Sequence, residues 1–332
     1  MTLPRHAFFR GRIVPYAEAR IGVLTHALNY GTGVFGGIRA YWSPEEEELF
    51  VFRPRDHFGR FLESAKLLDM TLPYSAEQLT DALVGLIRAE LYHEDCYARP
   101  LAFYADESIG VRLHNLTPEV SIVVMPYGRY LENEEGVHAT VSSWRRVDDN
   151  MIPPRGKITG SYVNSAFAKT DALRAGFDEA IVLNQDGHVS EGSAENFFLV
   201  KNGEAITPPV TDNILEGVTR RTILQLLRET LGVPVTERSI DRSELTLADE
   251  AFFCGTGVQI AAITRVDHRP IGSGLMGPVV AALRALYFDV VRGKRAEHRG
   301  WCHPVYADAA ALTRDEPRSE AADPKAAGEK GN

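Results

Sequence analysis

The stretch that decides the fold is GKITGSYVNSAFAKTDALRAGFDEAIVLNQDGHVSEGSAENFFLV, residues 156–200. It begins in a loop rich in proline and glycine, and its pattern predicts a helix over 161–176. Three short runs follow, EAIVLN, HVSEG and NFFLV, with the turns QDG and KNGE between and after them. Such turns between β-branched and aromatic runs are typical of hairpins. The sequence therefore predicts a lysine-bearing loop, a helix and a hairpin sheet in direct succession.

On the N-terminal side of this stretch, short β-type runs alternate with helical patterns from Phe8 to about Pro126. The clearest helices are HFGRFLESAKLLDM and EQLTDALVGLIRAEL, and the clearest strands are LFVFR, ARPLAFYA and VSIVVMPY. This alternation predicts a small α/β domain over residues 1–127. The polar segment GRYLENEEGV carries two glycines, so residues 128–138 are predicted as the linker between domains.

On the C-terminal side, HATVSSWRRV reads as a strand, and two helices are predicted over 217–232 and 275–294. Residues 139–305 are therefore assigned to a second, larger domain. Beyond Val305 the composition turns to alanine, charged residues and proline with almost no large apolar side chain. Such a composition cannot build a packed core, so residues 306–332 are predicted to be a disordered tail.

Composition excludes several classes of function. The chain has 332 residues, a net charge of −9 and scattered lysines and arginines, which gives no footprint for nucleic acid or an acidic membrane. Cys96, Cys254 and Cys302 show neither disulfide-framework nor zinc-site spacing, so no metal is expected. The chain has no secretory signal and no apolar segment of membrane-spanning length. We therefore expect an unprocessed, soluble, cytoplasmic protein that acts on small molecules.

One glycine pattern suggests a nicotinamide-dependent oxidoreductase. Gly31, Gly33 and Gly36 fit G-x-G-x-x-G, but that motif needs a strand before it and a helix after it. Here a strand, GIRAYW, follows instead, so the hypothesis is dismissed. A phosphate-binding loop around Lys157 is dismissed as well, because Met151 and Ile158 occupy the positions of its first glycine and its hydroxyl residue.

Three charged residues in the deciding stretch could carry chemistry. Lys157 lies in a loop between Gly156 and Gly160, and Glu191 and Glu195 lie in the small-residue turn SEGSAENFF. A carboxylate in such a turn can be held by backbone donors beside a ligand. Taken alone, each of these residues is more often a solvated surface charge.

Together, the lysine, GSYVNSAFAKTDA and SEGSAENFFLV resemble fold-type IV enzymes that use pyridoxal 5′-phosphate (PLP), specifically the branched-chain amino acid aminotransferases. Further matching segments, in the family's order, are THALNYGTGVFGGIRAY, FRPRDHFGRFLESAKLL, YARPLAF, VSSWRR, LEGVTRRTIL and ADEAFFCGTGVQI. The resemblance covers roughly residues 8–301. It implies an α/β (α+β) fold with a small N-terminal α/β domain, a larger C-terminal domain with a β-barrel-like core, the cofactor between them, and a homodimer or higher homo-oligomer.

The resemblance also implies roles for the cofactor site. Lys157 would bond to PLP and move the proton of the substrate α-carbon as general acid and base. Glu191, with Glu195 as its rival, would keep the pyridine nitrogen protonated, because an adjacent negative charge favours the cationic form. Tyr162 would hydrogen-bond the cofactor's phenolate oxygen. The phosphate would be bound by Arg60, the backbone amides of Val218 and Thr219, and Thr256, in keeping with the helix start at Gly217.

For the substrate, the resemblance implies an apolar surface built in part by the partner subunit, with the α-carboxylate on the amides around Thr256 and Gly257. Arg99 and Tyr97, with Arg39 nearby, would recognise the side-chain carboxylate of glutamate. The residues assigned to substrate binding are Tyr30, Phe35, Gly37, Arg39, Tyr97, Arg99, Val111, Tyr127, Tyr130 and Gly257.

The function implied is amino transfer from leucine, isoleucine or valine to 2-oxoglutarate, which gives branched 2-oxo acids and glutamate. Two departures from the family pattern lie near the substrate: Gly36 stands where a glutamate is usual, and Gly257 where alanine is common. They leave open a D-amino acid or (R)-amine transaminase, or an aminodeoxychorismate lyase-like enzyme of the same fold. A non-catalytic binding module is disfavoured by the presence of Lys157, Glu191 and Tyr162 together.

Overall fold

The structure, a computed structural model, describes residues 3–128 and 133–307. Its strands are β1 His6–Phe9, β2 Arg12–Pro15, β3 Gly33–Phe35, β4 Ile38–Ser43, β5 Glu48–Phe52, β6 Cys96–Tyr104, β7 Pro118–Pro126, β8 Val137–Arg145, β9 Glu179–Leu183, β10 Val189–Gly192, β11 Asn196–Lys201, β12 Glu204–Thr207, β13 Val235–Glu237, β14 Glu250–Gly255, β15 Gln259–Val266, β16 Arg269–Pro270 and β17 Cys302–Pro304. Its α-helices are α1 His26–Tyr30, α2 Pro54–Leu67, α3 Ala76–Glu90, α4 Tyr162–Arg174, α5 Val218–Gln225, α6 Glu244–Leu247 and α7 Pro278–Val291.

The first sheet has the strand order β17-β5-β4-β6-β7-β1-β2, with β3 paired to β6, and its paired strands run antiparallel. Helices α2 and α3 pack against it through apolar side chains such as Phe58, Phe61 and Leu83, each at most 1% exposed. Helix α3 begins with a reciprocal capping box between Ser75 and Gln78, which satisfies two backbone donors at once. This sheet and its helices form the α/β unit expected from the alternating pattern.

The second sheet is mixed, with the order β10-β9-β8-β15-β14-β11-β12-β13 and β16 on β15. In a flat sheet β10 and β11 would stand five strand spacings apart, about 24 Å. The chain passes from Gly192 to Asn196 in four residue steps, which span at most about 14 Å. Gly192 N also donates to Glu195 O at 2.7 Å across that turn. The sheet must therefore curl until β10 meets β11, which confirms the barrel-like core.

Strands β11 and β14 are apolar on both faces because two cores enclose them. Phe198 and Phe252 lie in the core shared with α5 and α7, and their rings stack with centroids 4.9 Å apart. Phe197 and Phe253, the neighbours in sequence, point into the opposite core inside the curl. Successive side chains of a strand alternate between faces, so two covered faces give continuous apolar runs such as NFFLV.

The last described strand, β17, belongs to the first sheet, whereas the sequence assigned residues 139–305 to the second domain. Strand β17 pairs with β5. The carboxylate of Glu48 then accepts from the backbone N of Val305, Tyr306 and Ala307 at 3.0, 2.8 and 2.6 Å. Residues 306 and 307 are thus anchored, which corrects the predicted start of the tail, and 308–332 lie outside the described residues. In the predicted linker, 129–132 also lie outside them, and β8 already begins at Val137.

The helix predicted over 217–232 is divided in two. Helix α5 ends at Gln225, and residues Leu226–Thr230 continue as a π-helical turn. Leu226 and Leu227 are both fully buried, and the wider turn brings these adjacent leucines into the same core. Within the described ranges, no helix combines the length and the apolar character needed to cross a bilayer.

The segment between β8 and α4 joins the two sheets. Phe35 N donates to Lys157 O at 3.0 Å, and Val34 forms an isolated bridge with Ile158, so this loop extends the first sheet. Helix α4, which follows, contacts β8 and β9 of the second sheet. The topology therefore puts Lys157 at the seam between the two sheets.

Candidate active site

A cavity of about 260 Å³ opens at this seam. Its wall collects most of the residues assigned from sequence: Phe35, Gly37, Arg60, Tyr97, Arg99, Lys157, Tyr162, Glu191, Val218, Thr219, Thr256 and Gly257. They come from β3, α2, β6, the lysine loop, α4, β10, α5 and the β14–β15 turn. Residues distant in sequence thus converge on one space large enough for a small ligand.

Lys157 presents its amine to this cavity. Its Nζ donates to the hydroxyl oxygen of Tyr162 at 2.6 Å and lies 5.1 Å from the ring centroid of Phe35. Loss of hydration, reinforced by the positive charge of Arg60, lowers the pKa of Lys157 to about 8. At pH 7 about a tenth of the amine is therefore uncharged, compared with less than about a thousandth at the ordinary lysine pKa, and the uncharged form is the one needed for a nucleophile or a base.

Tyr162 is the first residue of α4, directly after a turn of 3₁₀-helix at Thr159–Ser161. Its ring packs edge-on against Phe35 with centroids 4.6 Å apart. Burial raises the pKa of Tyr162 to about 12, so its hydroxyl keeps its proton. The site thus holds a protonated phenol in contact with a lysine amine.

Glu191 is a buried carboxylate held on both oxygens. Oε1 lies 2.8 Å from Nη2 of Arg146, and Oε2 accepts from Asn196 Nδ2 and from Leu215 N at 3.0 Å each. Burial raises the pKa of Glu191, while Arg146 and the Leu215 amide act in the opposite direction. Removing any one of these partners would leave a charge poorly compensated in a dry environment.

Glu195 has a different environment. Its Oε2 accepts from Ala194 N at 3.0 Å, and burial together with the nearby carboxylate of Glu179 raises its pKa to about 8. Among the described residues, the nearby cation that most lowers its pKa is Lys169, whereas Glu191 is paired directly with Arg146. Of the two acids, Glu191 has the surroundings of an ionised carboxylate and Glu195 those of a protonated acid.

One end of the cavity is built to receive an anion. Helix α5 starts at Val218 without a side-chain cap, so its first N–H groups and the positive end of its dipole face the space lined by Gly217, Val218 and Thr219. Arg60 reaches the same place, where its Nη1 donates to Glu216 O at 3.2 Å. A side chain at Gly217 would place Cβ 2.1 Å from Asn196 Oδ1, so only glycine lets the helix start this close to the partner of Glu191.

The β14–β15 turn is held from outside the cavity by Arg39, which is 2% exposed. Its guanidinium donates to Thr256 O and Gly257 O at 2.8 Å each. In a trans peptide the C=O and the following N–H point in opposite directions. The amides of Gly257 and Val258 are therefore turned away from Arg39, toward the cavity that both residues line.

The position of Arg39 differs from the one expected for a substrate-binding residue. Its Nη1 also donates to Tyr127 O at 3.1 Å, and its Nη2 donates to Gly128 O at 2.8 Å. The guanidinium thus donates to four backbone carbonyls in all. It does not line the cavity, and its contacts hold the β14–β15 turn.

Arg99 and Tyr97 lie on the wall, as expected, and contact each other. Arg99 Nη2 donates to the Tyr97 hydroxyl at 3.0 Å, and its guanidinium carbon lies 4.7 Å from the ring centroid of Phe35. Gly37 provides the room, because a Cβ there would stand 2.2 Å from the Tyr97 oxygen. An arginine, a phenol and an aromatic ring thus meet at the end of the cavity nearest the first sheet.

Three further residues assigned to the substrate, Tyr30, Val111 and Tyr127, do not line this wall. Tyr30 accepts from Gly110 N at 3.1 Å, and Tyr127 packs on Tyr97 with ring centroids 5.1 Å apart. Val111 is 87% exposed and does not line the cavity in a single chain. Tyr130 lies outside the described residues.

The structure accounts for one departure from the family pattern. At Gly36 a Cβ would come 2.6 Å from Pro100 Cγ, and Gly36 N donates to Pro100 O at 2.8 Å. The close pairing of these two backbones requires glycine at 36. The position is therefore filled by the proline ring of β6 instead of a glutamate side chain.

Several residues that line the cavity or hold its side chains were not found from sequence. Arg146, Asn196 and Leu215 hold Glu191, and Cys254 is a fully buried thiol beside Gly255. All three cysteines are buried and free. Only Arg146 carried a signal, as one of two adjacent arginines in the predicted strand HATVSSWRRV, and nothing local distinguished it from Arg145.

The wall fits a phosphorylated pyridine aldehyde. An amine of lowered pKa suits an aldehyde, the paired carboxylate of Glu191 suits a ring nitrogen that carries a proton, and the start of α5 with Arg60 suits a phosphate. The fit rests on cradles that only glycine permits, at positions 37 and 217.

Comparison with known proteins agrees with this geometry. A family profile of amino-transferase class IV matches residues 33–266. The probable branched-chain-amino-acid aminotransferase of Aquifex aeolicus is 48% identical over 300 residues, 90% of this chain and 96% of that protein.

Two solved structures are similar along nearly their whole length. A branched-chain aminotransferase from Thermoproteus uzoniensis with norvaline has a TM-score of 0.88 and 44% identity, over 91% of this chain and 100% of that one. A branched-chain amino acid aminotransferase from Thermobaculum terrenum in its PLP form has a TM-score of 0.88 and 37% identity, over 92% of this chain and 99% of that one. The chain therefore belongs to the class IV aminotransferases and, within this fold-type IV family, to the branched-chain amino acid aminotransferases.

Proposed function

We propose that the protein is a PLP-dependent aminotransferase that moves the amino group of L-leucine, L-isoleucine or L-valine to 2-oxoglutarate. The observation that carries this proposal is the meeting of Lys157, Tyr162, Glu191 and the free start of α5 in one cavity. The names of the relatives support the substrate class, since they are branched-chain aminotransferases and one is bound to norvaline.

Lys157 supplies the proton chemistry. When bound, PLP provides a conjugated ring that takes up the negative charge developed at the substrate α-carbon and retains the amino group between the two half-reactions. The Nζ of Lys157, with its pKa lowered to about 8, removes the proton from that carbon and later returns one. Tyr162, only 2.6 Å from the amine, orients Nζ for both transfers.

Glu191 supplies the fixed negative charge. Held by Arg146, Asn196 and the Leu215 amide, it can receive an N–H at the free lone pair of Oε1 without moving. An ionised acid there keeps a ring nitrogen protonated. Glu195, with its raised pKa, is the weaker candidate for this role.

The two ends of the wall divide the recognition of the substrate. The amides turned inward by Arg39 at Gly257 and Val258 are suited to the α-carboxylate, as at other backbone anion sites. Arg99 with Tyr97 is suited to the second carboxylate of glutamate, and Phe35 to a branched apolar side chain.

We also propose a cytoplasmic homodimer. Exposed apolar side chains are frequent in the segments 21–30 and 106–111. The β-bridge between Thr25 and Glu107 holds these two segments side by side. Val23 is 82% exposed and Val111 87%, beside Ile109 at 81%. A patch of this kind favours burial against a second copy, and Val111 would then reach the neighbouring cavity. The three free thiols suit a reducing compartment.

A donor panel tests the proposal. With 2-oxoglutarate as acceptor, purified protein should form 4-methyl-2-oxopentanoate from L-leucine and not from D-leucine. Lys157→Ala should abolish turnover while the protein stays folded by circular dichroism. Activity confined to D-leucine or to (R)-amines would replace this substrate class by the alternative, and activity retained in Lys157→Ala would remove the mechanism.

A further inference from the structure

A second cavity, of about 450 Å³, lies behind the anion-binding end of the first. We call it the rear cleft and define it by Arg55, Gly59, Glu63, Arg155 and Arg221 on its wall. The two cavities share Arg60 and Val218. A phosphate bound at the start of α5 would therefore touch both spaces, and the mechanism above uses only one of them.

The rear cleft has a charge that suits an anion. Four guanidinium groups, of Arg55, Arg60, Arg155 and Arg221, face three carboxylates, of Asp56, Glu63 and Glu216, which gives 4 − 3 = +1. The chain as a whole carries −9. A locally positive opening in a negatively charged protein raises the concentration of anions at that opening.

The side-chain contact that Glu216 makes at the boundary between the two cavities is weak. Arg155 Nη1 donates to Glu216 Oε1 at 2.6 Å, with both side chains 50% exposed, and Arg60 donates to the backbone oxygen of Glu216. Ion pairs this exposed to water contribute little to stability. The Glu216 side chain can therefore move away from Arg155 at small cost, while the backbone before it stays held by the contacts of Leu215 with Glu191 and Asn196.

We propose that the rear cleft is the route by which the phosphorylated cofactor loads into and leaves its site, with the arginines of the cleft guiding its phosphate. The amino acid substrate uses the opposite end, beside Tyr97 and Arg99. The proposal rests on the proposed use of PLP. It separates cofactor exchange from substrate traffic, so the two can be altered independently.

Gly59 offers a direct obstruction. It lies on α2 and on the wall of the rear cleft, and a Cβ built there meets nothing within 4 Å. The Cβ of Gly59→Trp therefore meets no clash, and its indole ring should occupy the cleft. Gly59→Ala is the matched control, because it makes the same backbone change and leaves the cleft open.

The measurement uses cofactor-free full-length protein and pyridoxamine 5′-phosphate, which binds without a covalent bond to Lys157. Stopped-flow fluorescence gives its association and dissociation rates. We expect Gly59→Trp to slow both by about tenfold or more, because binding then awaits a rearrangement, while Gly59→Ala matches wild type. The reaction of the fully loaded Gly59→Trp protein with L-leucine should keep its wild-type rate.

Changes of charge in the rear cleft provide a second, independent test, because they do not obstruct the cleft with a large side chain. Arg55→Glu should lower the association rate and Glu63→Lys should raise it, each by about threefold or more at low ionic strength. Both effects should shrink in 0.5 M salt, where the Debye length is only a few Å. Arg242→Glu, whose exposed side chain lies on a different cavity, is the control with the same charge change.

The outcomes separate the two proposals. If the ligand binds but Gly59→Trp and the charge variants associate at the rates of their controls, the cofactor enters by another path and this inference is wrong. If wild type itself binds no pyridoxamine 5′-phosphate, the proposed function fails and the route fails with it. A folded Gly59→Trp variant, checked by circular dichroism, with slowed exchange and unchanged affinity supports the route.

Discussion

Replacement of Arg146 by methionine should expose how much the site depends on one ion pair. The guanidinium stands 2.8 Å from Glu191, and their side chains are only 8% and 5% exposed. With charge centres about 4 Å apart and an effective dielectric of about 20, the attraction is about 4 kcal/mol. Breaking a buried pair by removing one partner costs about 3–5 kcal/mol, which agrees with this figure.

The loss should depend on pH in a defined direction. Burial already raises the pKa of Glu191, and without Arg146 it stands further above the value in the unfolded chain. The folded variant then binds more protons than the unfolded one, so its stability falls as pH rises above the ordinary glutamate range. The penalty relative to wild type should be larger at pH 8 than at pH 5.

Urea unfolding of the cofactor-free protein at both pH values measures this penalty. Arg145→Met is the matched control, since Arg145 is the exposed neighbour of Arg146 in the chain. We expect a loss of about 3 kcal/mol for Arg146→Met at pH 8 and a value near zero for the control. If the two variants are equally stable at pH 8, Glu191 is not held as a buried anion, and its assignment as the partner of the ring nitrogen fails.

Three further outcomes follow from the geometry. Arg39→Met should raise KM for L-leucine by about tenfold or more with little change in cofactor affinity, because the Thr256 and Gly257 carbonyls lose their donor; an unchanged KM would contradict the positioning role. In cofactor-free protein, acylation of Lys157 followed by mass spectrometry should rise with pH and level off above about 8, in line with its lowered pKa, since only the neutral amine reacts; a rise that continues toward pH 10 would oppose this. Gly217→Ala should cost about 1–3 kcal/mol in urea unfolding and weaken pyridoxamine 5′-phosphate binding, because its Cβ meets the Asn196 amide oxygen; wild-type stability would show that the turn has room.

The sequence was most informative where local pattern and chemistry coincide. The hairpin runs after Lys157 become β9, β10 and β11, and Glu191, in β10 just before the small-residue turn, lies in the cavity wall. The free helix start at Gly217 was visible because glycine before a helical pattern leaves the first amides uncapped. Such features depend on neighbours within a few residues, which a single sequence shows directly.

Features set by distant contacts were beyond this reasoning. Arg39 was assigned to the substrate, but its partners Thr256 and Gly257 are more than 200 residues away, with separations of 217 and 218. Arg145 and Arg146 look alike in sequence, and only the packing of β8 decides that the second faces Glu191. The return of β17 to the first sheet has the same origin, since strand pairing between the chain ends leaves no local pattern.

The most direct test of the central claim is borohydride reduction of the protein loaded with PLP, followed by peptide mapping. The account predicts a phosphopyridoxyl group on the peptide that contains Lys157. In the Glu191→Ala variant this group should be absent from that peptide when the PLP concentration is kept below the dissociation constant of the variant for PLP. A label on another lysine, or no label on wild type despite saturating PLP, would contradict the account.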